Sequence, residues 1–175
     1  MDVRRAGARA LVAGAVVAAL AVPGTAHADT GSIDDPAGDA TSVDITRVRV
    51  VHRDAVKVTV RSDVPLAVSQ VYSFWIDTGR GPRPTFRVSF VANAGFDDSL
   101  GVVESFGQRP SRFVRCPGMR ARADIFEDAP VSLRVPRRCL GDPKRVRVAV
   151  KFLDEATGSV DWAPERRTFG PWVAR

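Results

Sequence analysis

The sequence predicts an all-β protein, an antiparallel β-sandwich of jelly-roll or immunoglobulin-like type. From residue 42 onward, apolar and polar residues alternate with a period of two in most segments, which is typical of strands buried on one face. Clusters of glycine, proline and aspartate interrupt this alternation, as turns do. About eight short strands with turns at this spacing, and no long amphipathic helix, indicate two packed antiparallel sheets.

The first half of the mature chain contains the clearest strand patterns. They cover residues 43–51, 56–61, 72–77, 86–90 and 100–106. In the first of them the alternation slips between Ile45 and Val48, which predicts a bulge or a late start of the strand. His52-Arg53-Asp54-Ala55 joins the first two strands as a hairpin, and residues 78–84 and 94–98 have the composition of turns.

The second half begins with a weaker region and ends with the best strand. Residues 113–116 and 121–126 are short strand candidates on either side of Pro117-Gly118, and 131–135 and 145–153 alternate clearly. Residues 136–141 form one helical turn, with proline at its start and glycine past its end. The tail holds two of the three tryptophans, so we expect it to pack onto the body of the domain.

The N-terminal segment has the pattern of a secretion signal. Arginines precede an apolar run over residues 10–22, and Ala26-His27-Ala28 fits a signal-peptidase site. We therefore expect residues 1–28 to be a cleaved signal peptide and residues 29–175 to be one secreted domain. The run is shorter than the roughly 20 residues that span a bilayer comfortably, and an uncleaved anchor is the alternative to a cleaved signal. No later segment is apolar enough to cross a membrane, so the mature chain is predicted to have no membrane span.

The chain is basic, with a formal net charge of +6. Nearly all the positive charge is arginine, because lysine occurs only at positions 57, 144 and 151. Such usage reflects GC-rich codons as readily as a binding function, and we predict no nucleic-acid partner. Outside the cell, a basic surface attracts anionic wall polymers. Arg115, Arg137 and Arg138 flank the cysteines and form the predicted anion-binding patch, for which a merely solvated face is the alternative.

Cys116 and Cys139 are the only cysteines. Export places them in an oxidising compartment, so a disulfide between them is expected. Closing this loop stabilises a fold by about 3 kcal/mol in the chain-entropy model.

The segment DDPAGDATSVDI, residues 34–45, holds four carboxylates in twelve residues. Asp35, Asp39 and Asp44 supply the kind of oxygen ligands that calcium takes from a flexible loop, and either Asp77 or Asp161 could complete such a site from a distance. The alternative is that these aspartates only form turns, because Asp-Pro and Gly-Asp are ordinary turn chemistry. The order of residues is not that of an EF-hand.

Three short motifs carry a resemblance to a known family. They are D-P-A-G-D-x-x-x-x-D-I at residues 35–45, VPRRCLGDP at 135–143 and DWAP at 161–164. The first motif, followed by an alternating strand, resembles the start of the DOMON-like, family-9-carbohydrate-module-like β-sandwiches. The chain is also similar to a group of secreted actinobacterial proteins, which carry the other two motifs as well. The resemblance implies a sandwich that binds sugar, haem or another ligand, often with a structural calcium, for which Asp35, Asp39 and Asp44 are the matching residues.

The residues do not favour an enzyme, and we assign no catalytic residue. A serine hydrolase would need His52, the only histidine of the mature chain, and no G-x-S-x-G motif occurs. One histidine and two oxidised cysteines are too few ligands for zinc, and haem lacks a Met/His pair. Paired acids such as Asp97-Asp98 or Asp154-Glu155 are more typical of solvated turns than of a glycosidase. Trp75 lies on a strand with its ring opposite its neighbours, either as core or as a sugar platform.

We therefore expect a secreted, monomeric, non-enzymatic binding or structural domain. Its predicted cofactor is calcium and nothing else, and its ligand stays open, with a glycan or an anionic wall polymer as the candidates. The alternatives are a cell-surface protein that binds anionic wall polymer through its arginine patch and, less favoured, a secreted hydrolase.

Overall fold

A computed structural model of the chain describes residues 29–79, 86–91, 95–96, 99–124 and 128–175. For residues 95, 96 and 99 it describes the backbone alone. The predicted signal peptide, most of the predicted loop 78–84, part of the turn at 94–98 and Asp97-Asp98 lie outside the described residues. No helix among the described residues is long and apolar enough to cross a membrane.

The described chain folds into two antiparallel sheets packed face to face, which confirms the predicted all-β sandwich. The five-stranded sheet has the order β1-β2-β3-β10-β9, and the larger sheet has the order β12-β11-β4-β5-β7-β8, with β6 on β5 and β13 on β11. The strands are β1 (Thr30–Asp34), β2 (Ile45–His52), β3 (Ala55–Ser62), β4 (Gln70–Asp77), β5 (Phe86–Val91), β6 (Gly95–Phe96), β7 (Ser99–Val102), β8 (Arg112–Arg115), β9 (Arg120–Arg122), β10 (Val131–Pro136), β11 (Arg145–Asp154), β12 (Val160–Ala163) and β13 (Val173–Ala174).

The register between β2 and β3 shows the predicted irregularity. Val48 pairs with Val60, but the register shifts between Ile45 and Arg47, which is where the alternation slips in the sequence. The shift keeps both Ile45 and Val48 buried. The hairpin between the two strands is also confirmed, because β2 ends at His52 and β3 begins at Ala55.

The predicted helical turn is a 3-10 turn, η1 (Arg137–Leu140), that follows β10 directly. Gly141 ends it in the left-handed conformation, with φ of 75°, which glycine adopts without strain. The neighbouring Cys139 forms the predicted disulfide with Cys116, with a Cα–Cα distance of 5.6 Å. The disulfide ties the turn after β8 to η1.

Two groups of apolar side chains are buried. The main core lies between the sheets and contains alternate residues of the long strands, including Val48, Val58, Phe74, Leu133 and Val150. A smaller aromatic cluster covers the outer face of the larger sheet and consists of Trp75, Phe106, Trp162 and Phe169 with Val103 and Ala149. Trp75 is only 3% exposed and stacks on Trp162, so it is a core residue of this outer cluster.

Candidate functional site

The acidic segment lies at the edge of the sandwich, where the connection between β1 and β2 meets β12. Asp35 directly follows β1, and its backbone N–H donates to the carbonyl of Thr46 at 3.2 Å. Gly38 has φ of 91°, a backbone conformation that turns the chain and that other residues rarely adopt. Further along, the hydroxyl of Ser42 contacts that of Thr157 at 2.9 Å. The loop is therefore held against the turn between β11 and β12.

Three carboxylates meet at this edge. Asp35, Asp39 and Asp161 each place one oxygen within 4.8 Å of the others. Calcium binds oxygen at about 2.4 Å, so two oxygens on one ion lie no more than about 5 Å apart. The arrangement is compatible with a single calcium ion that would link the loop of the five-stranded sheet to the edge strand of the larger one.

Asp35 is the most unusual member of this group. It is 8% exposed, and neither of its carboxylate oxygens has a hydrogen-bond partner. Burial, together with the neighbouring carboxylates, chiefly Asp161 and Asp39, raises the pKa of Asp35 to about 7. A buried ionised carboxylate needs a partner, and a cation bound between these three groups would supply one.

Asp161 is held in place by backbone groups. Its Oδ2 accepts from the N–H of Ile45 at 2.5 Å, and its Oδ1 accepts from the N–H of Trp162 at 2.5 Å. Burial raises the pKa of Asp161, while these two donors oppose the rise. Each carboxylate oxygen of Asp161 accepts one of these hydrogen bonds and keeps a further lone pair, so both oxygens can still bind a metal.

The predicted ligand set Asp35, Asp39 and Asp44 is brought together only in part. Asp44 lies beside the three-carboxylate group, where one of its oxygens accepts from the N–H of Gly38 and the other is buried without a partner. Asp44 therefore holds the loop through its hydrogen bond to the backbone of Gly38, and Asp161 is the third carboxylate of the cluster.

Asp77, the other distant aspartate considered from the sequence, lies elsewhere. It is fully buried, and its Oδ2 accepts from Nε of Arg147 at 2.8 Å. Asp77 pairs with Arg147 across β4 and β11, whereas Asp161 pairs with Phe152 further along β11. Its carboxylate also closes the turn at Gly79, so it has a structural role of its own.

A cleft of about 590 Å³ adjoins the carboxylates. Asp39 and Asp161 line one side of it, and Lys151 and Trp162 line another. The chain that follows β12, including Arg166, contributes the remaining wall. Acidic, basic and aromatic groups thus face one cavity whose volume is typical of sites for small ligands.

Sequence reasoning missed the basic and aromatic walls of this cleft. The DWAP motif was the available signal, because it contains both Asp161 and Trp162. Lys151 could not be assigned from the sequence, since it reaches the cleft only because β11 pairs with β12 so that Lys151 lies opposite Trp162.

The arginines of the predicted anion-binding patch interact with other residues of the fold. Nε of Arg137 lies 3.0 Å from Asp142, and Arg138 donates to the carbonyl of Pro117 at 2.9 Å. Arg115 lies on β8 of the larger sheet and also has a partner. The disulfide does bring the segments around Cys116 and Cys139 together, as the sequence predicts.

The residues considered for catalysis have structural contacts. His52 is completely buried, and its Nδ1 donates to the carbonyl of Val173 at 3.1 Å. Asp154 accepts hydrogen bonds from Ser69 and from the backbone of Ala156, which orders the turn after β11. Its neighbour Glu155 is exposed.

Comparison of the chain with protein-family models, with curated proteins and with solved structures found no match. The resemblance to the DOMON-like and carbohydrate-module sandwiches therefore stays a prediction, and function is argued from the residues of the site.

Proposed function

We propose that the chain is a secreted, non-enzymatic β-sandwich module in which calcium orders the loop of residues 35–44 and the adjoining cleft binds a carbohydrate. The observation that carries this proposal is the carboxylate of Asp35, buried and without a hydrogen-bond partner, facing Asp39 and Asp161. Calcium prefers carboxylate oxygens from flexible loops, and water or backbone carbonyls would supply its remaining ligands.

The assignment of a carbohydrate rests on the composition of the cleft. Trp162 is half-buried and offers an apolar ring, while Lys151 and Arg166 offer donors that can bond to hydroxyl groups. A few polar groups placed around an aromatic surface are typical of small-molecule sites. The burial of His52 supports a binding role over a histidine-dependent hydrolase, and the disulfide supports an oxidising, extracellular location.

Calcium is expected to raise the melting temperature of the protein, and Asp35→Asn or Asp39→Asn is expected to abolish the rise. For a dissociation constant of ~0.3 mM, typical of extracellular sites, about 10 mM calcium stabilises the folded state by about 2 kcal/mol. This corresponds to a rise of about 4–8 °C. Thermal unfolding in calcium and in chelator measures the effect.

Asp34→Asn is the matched control for the calcium experiment. Asp34 adjoins Asp35, but it is exposed and forms an ion pair with Arg47 at 2.6 Å. The control is expected to keep the full calcium response. A melting temperature that calcium leaves unchanged, or a response that survives in Asp35→Asn, would show that these aspartates serve only the turn.

Glycan binding is expected to require the cleft wall. A glycan array probed in calcium should show a ligand whose binding is lost in Trp162→Phe combined with Lys151→Gln. The control is Trp172→Phe, because Trp172 is another partly exposed tryptophan but lies against Arg145 and Arg147 instead. Equal binding by the cleft variant and the control would exclude the cleft as the glycan site.

A further inference from the structure

The outer face of the five-stranded sheet carries a concentration of positive charge on three neighbouring strands. Lys57 of β3, Arg134 of β10 and both Arg120 and Arg122 of β9 are exposed. On each strand they alternate with residues that point toward the core, such as Val58, so all four lie on the solvent face.

The strand register places three of these four cations in one row across the sheet. Arg134 pairs with Lys57 on one side and with Arg120 on the other. Like charges at opposed positions of a sheet are destabilising. Among the residues that the structure describes, no acid forms an ion pair with Lys57, Arg120, Arg122 or Arg134. Nη1 of Arg134 donates to the carbonyl of Gly118 at 3.1 Å, so no described carboxylate offsets the repulsion between these cations.

Protection of the sheet edge explains only part of this arrangement. Charged residues on an edge strand discourage pairing with other chains, and β9 is an edge strand. Lys57 and Arg134, however, lie on β3 and β10, which have neighbours on both sides. Edge protection therefore does not account for these two residues.

The same residues form a concave surface. Lys57, Arg120, Arg122 and Arg134 line a groove of about 240 Å³ together with Ser132. No carboxylate of the described residues lines this groove, unlike the cleft beside Asp161. Arginine presents several N–H donors in a planar fork that fits the oxygens of phosphate and similar oxyanions, and the serine hydroxyl adds one more donor.

The positive face extends beyond the groove. Arg49 on β2 and Arg61 on β3 are exposed and lie on the same side of the sheet as Lys57. Neighbouring strands are about 4.8 Å apart, so the cations from β9 to β2 extend over roughly 14 Å. One small ion cannot contact them all, whereas a linear polymer with repeated negative groups can.

We propose that this face, centred on the groove, binds a linear extracellular polymer that carries tetrahedral oxyanion groups, either phosphodiesters or sulfate esters. The site shares no residue with the cleft or the calcium ligands, so binding here is independent of both, but the extracellular location of the polymer rests on the secretion proposed above. It also differs from the patch of Arg115, Arg137 and Arg138 predicted from the sequence.

The test is binding of the purified protein, in metal-free buffer, to poly(glycerol phosphate), to dextran sulfate and to uncharged dextran. The protein is expected to bind at least one of the two charged polymers and not dextran, with affinity that falls as salt increases. The charged polymer that binds more tightly identifies the oxyanion. Lys57→Gln, Arg120→Gln and Arg122→Gln together are expected to weaken binding about tenfold.

A second triple variant separates this site from general charge attraction. Lys144→Gln, Arg109→Gln and Arg112→Gln remove one lysine and two arginines that are exposed and lie outside the groove. This control is expected to bind nearly as tightly as the unmodified protein. Equal weakening by both triple variants, or no binding of either charged polymer, would overturn the proposal.

Stability provides an independent readout. Because the groove variant removes opposed like charges, it is expected to melt at the same or a higher temperature than the unmodified protein in the absence of polymer. Lost binding with retained or raised stability supports a binding role. A lower melting temperature together with lost binding would show instead that these cations stabilise the sheet.

Discussion

At the scale of single residues, burial separates aspartates that look alike in the sequence. Asp34 and Asp35 are neighbours, but the first is exposed and paired with Arg47 while the second is buried without a partner. Alternation along the chain accounts for the difference, since Ile33 points into the core and Asp34 points away from it. Asp35 then turns inward at the end of β1, and this makes it the pivotal residue of the proposed calcium site.

His52 is expected to make stability depend on pH. Burial lowers its pKa, so the folded state favours the neutral ring. The unfolded chain takes up a proton near pH 6.5, whereas the folded protein takes it up only at lower pH. The stability contributed by the neutral ring is therefore complete above about pH 6.5 and is lost as the pH falls below it.

Urea unfolding at about pH 7.5 and about pH 5.5 tests this effect against His52→Asn, which cannot titrate in this range. The unmodified protein is expected to lose up to about 1 kcal/mol more stability than the variant between the two pH values. An equal loss in both proteins would show that other groups determine the pH dependence.

At the scale of elements, β7 depends on a close approach that only glycine allows. A Cβ built on Gly101 would lie 2.6 Å from Cγ of Pro110 and 3.3 Å from the carbonyl oxygen of Arg87. Neither the proline ring nor the strand backbone yields easily. The segment after β7 therefore packs directly over the strand at this position.

Gly101→Ala is expected to destabilise the fold by about 1–3 kcal/mol, because the added methyl group overpacks this contact. Gly107→Ala is the control, since a Cβ there would meet only Arg167 at 3.7 Å, and we expect a change within about 0.5 kcal/mol. Chemical denaturation measures both variants, and equal stabilities would contradict the overpacking argument.

At the scale of the whole molecule, the disulfide and the proposed calcium site join different parts of the sandwich. Cys116 and Cys139 connect the turn between β8 and β9 to η1, while the carboxylates connect the loop after β1 to β12. Two separate links of this kind are expected to stabilise the fold independently.

Replacing both cysteines with alanine is expected to cost about 3 kcal/mol, the chain-entropy value for a loop of this length. The calcium-dependent rise in melting temperature should persist in the Cys116→Ala, Cys139→Ala variant, because the two links share no residue. Thermal unfolding of this variant with calcium and with chelator measures both effects. Loss of the calcium response there would show that the links are coupled.

The sequence by itself determined the elements whose local pattern is strong. The alternation around Val58, Phe74 and Val148 predicts three long strands that the structure contains, because a period of two places alternate side chains on the same face of a strand. The disulfide was also predictable, since the chain contains only one pair of cysteines. By contrast, β1 was missed, because TGSID contains a single large apolar residue and is a strand only through its pairing with β2.

Only the tertiary structure decided which distant residues share a site. Asp161 joins Asp35 and Asp39 because β12 forms the edge beside the loop of residues 35–44, and no local pattern fixes that pairing. The groove of Lys57, Arg120 and Arg134 likewise exists because β10 lies between β3 and β9. Strand alternation is a local property of the chain, whereas strand order depends on packing between segments far apart in sequence.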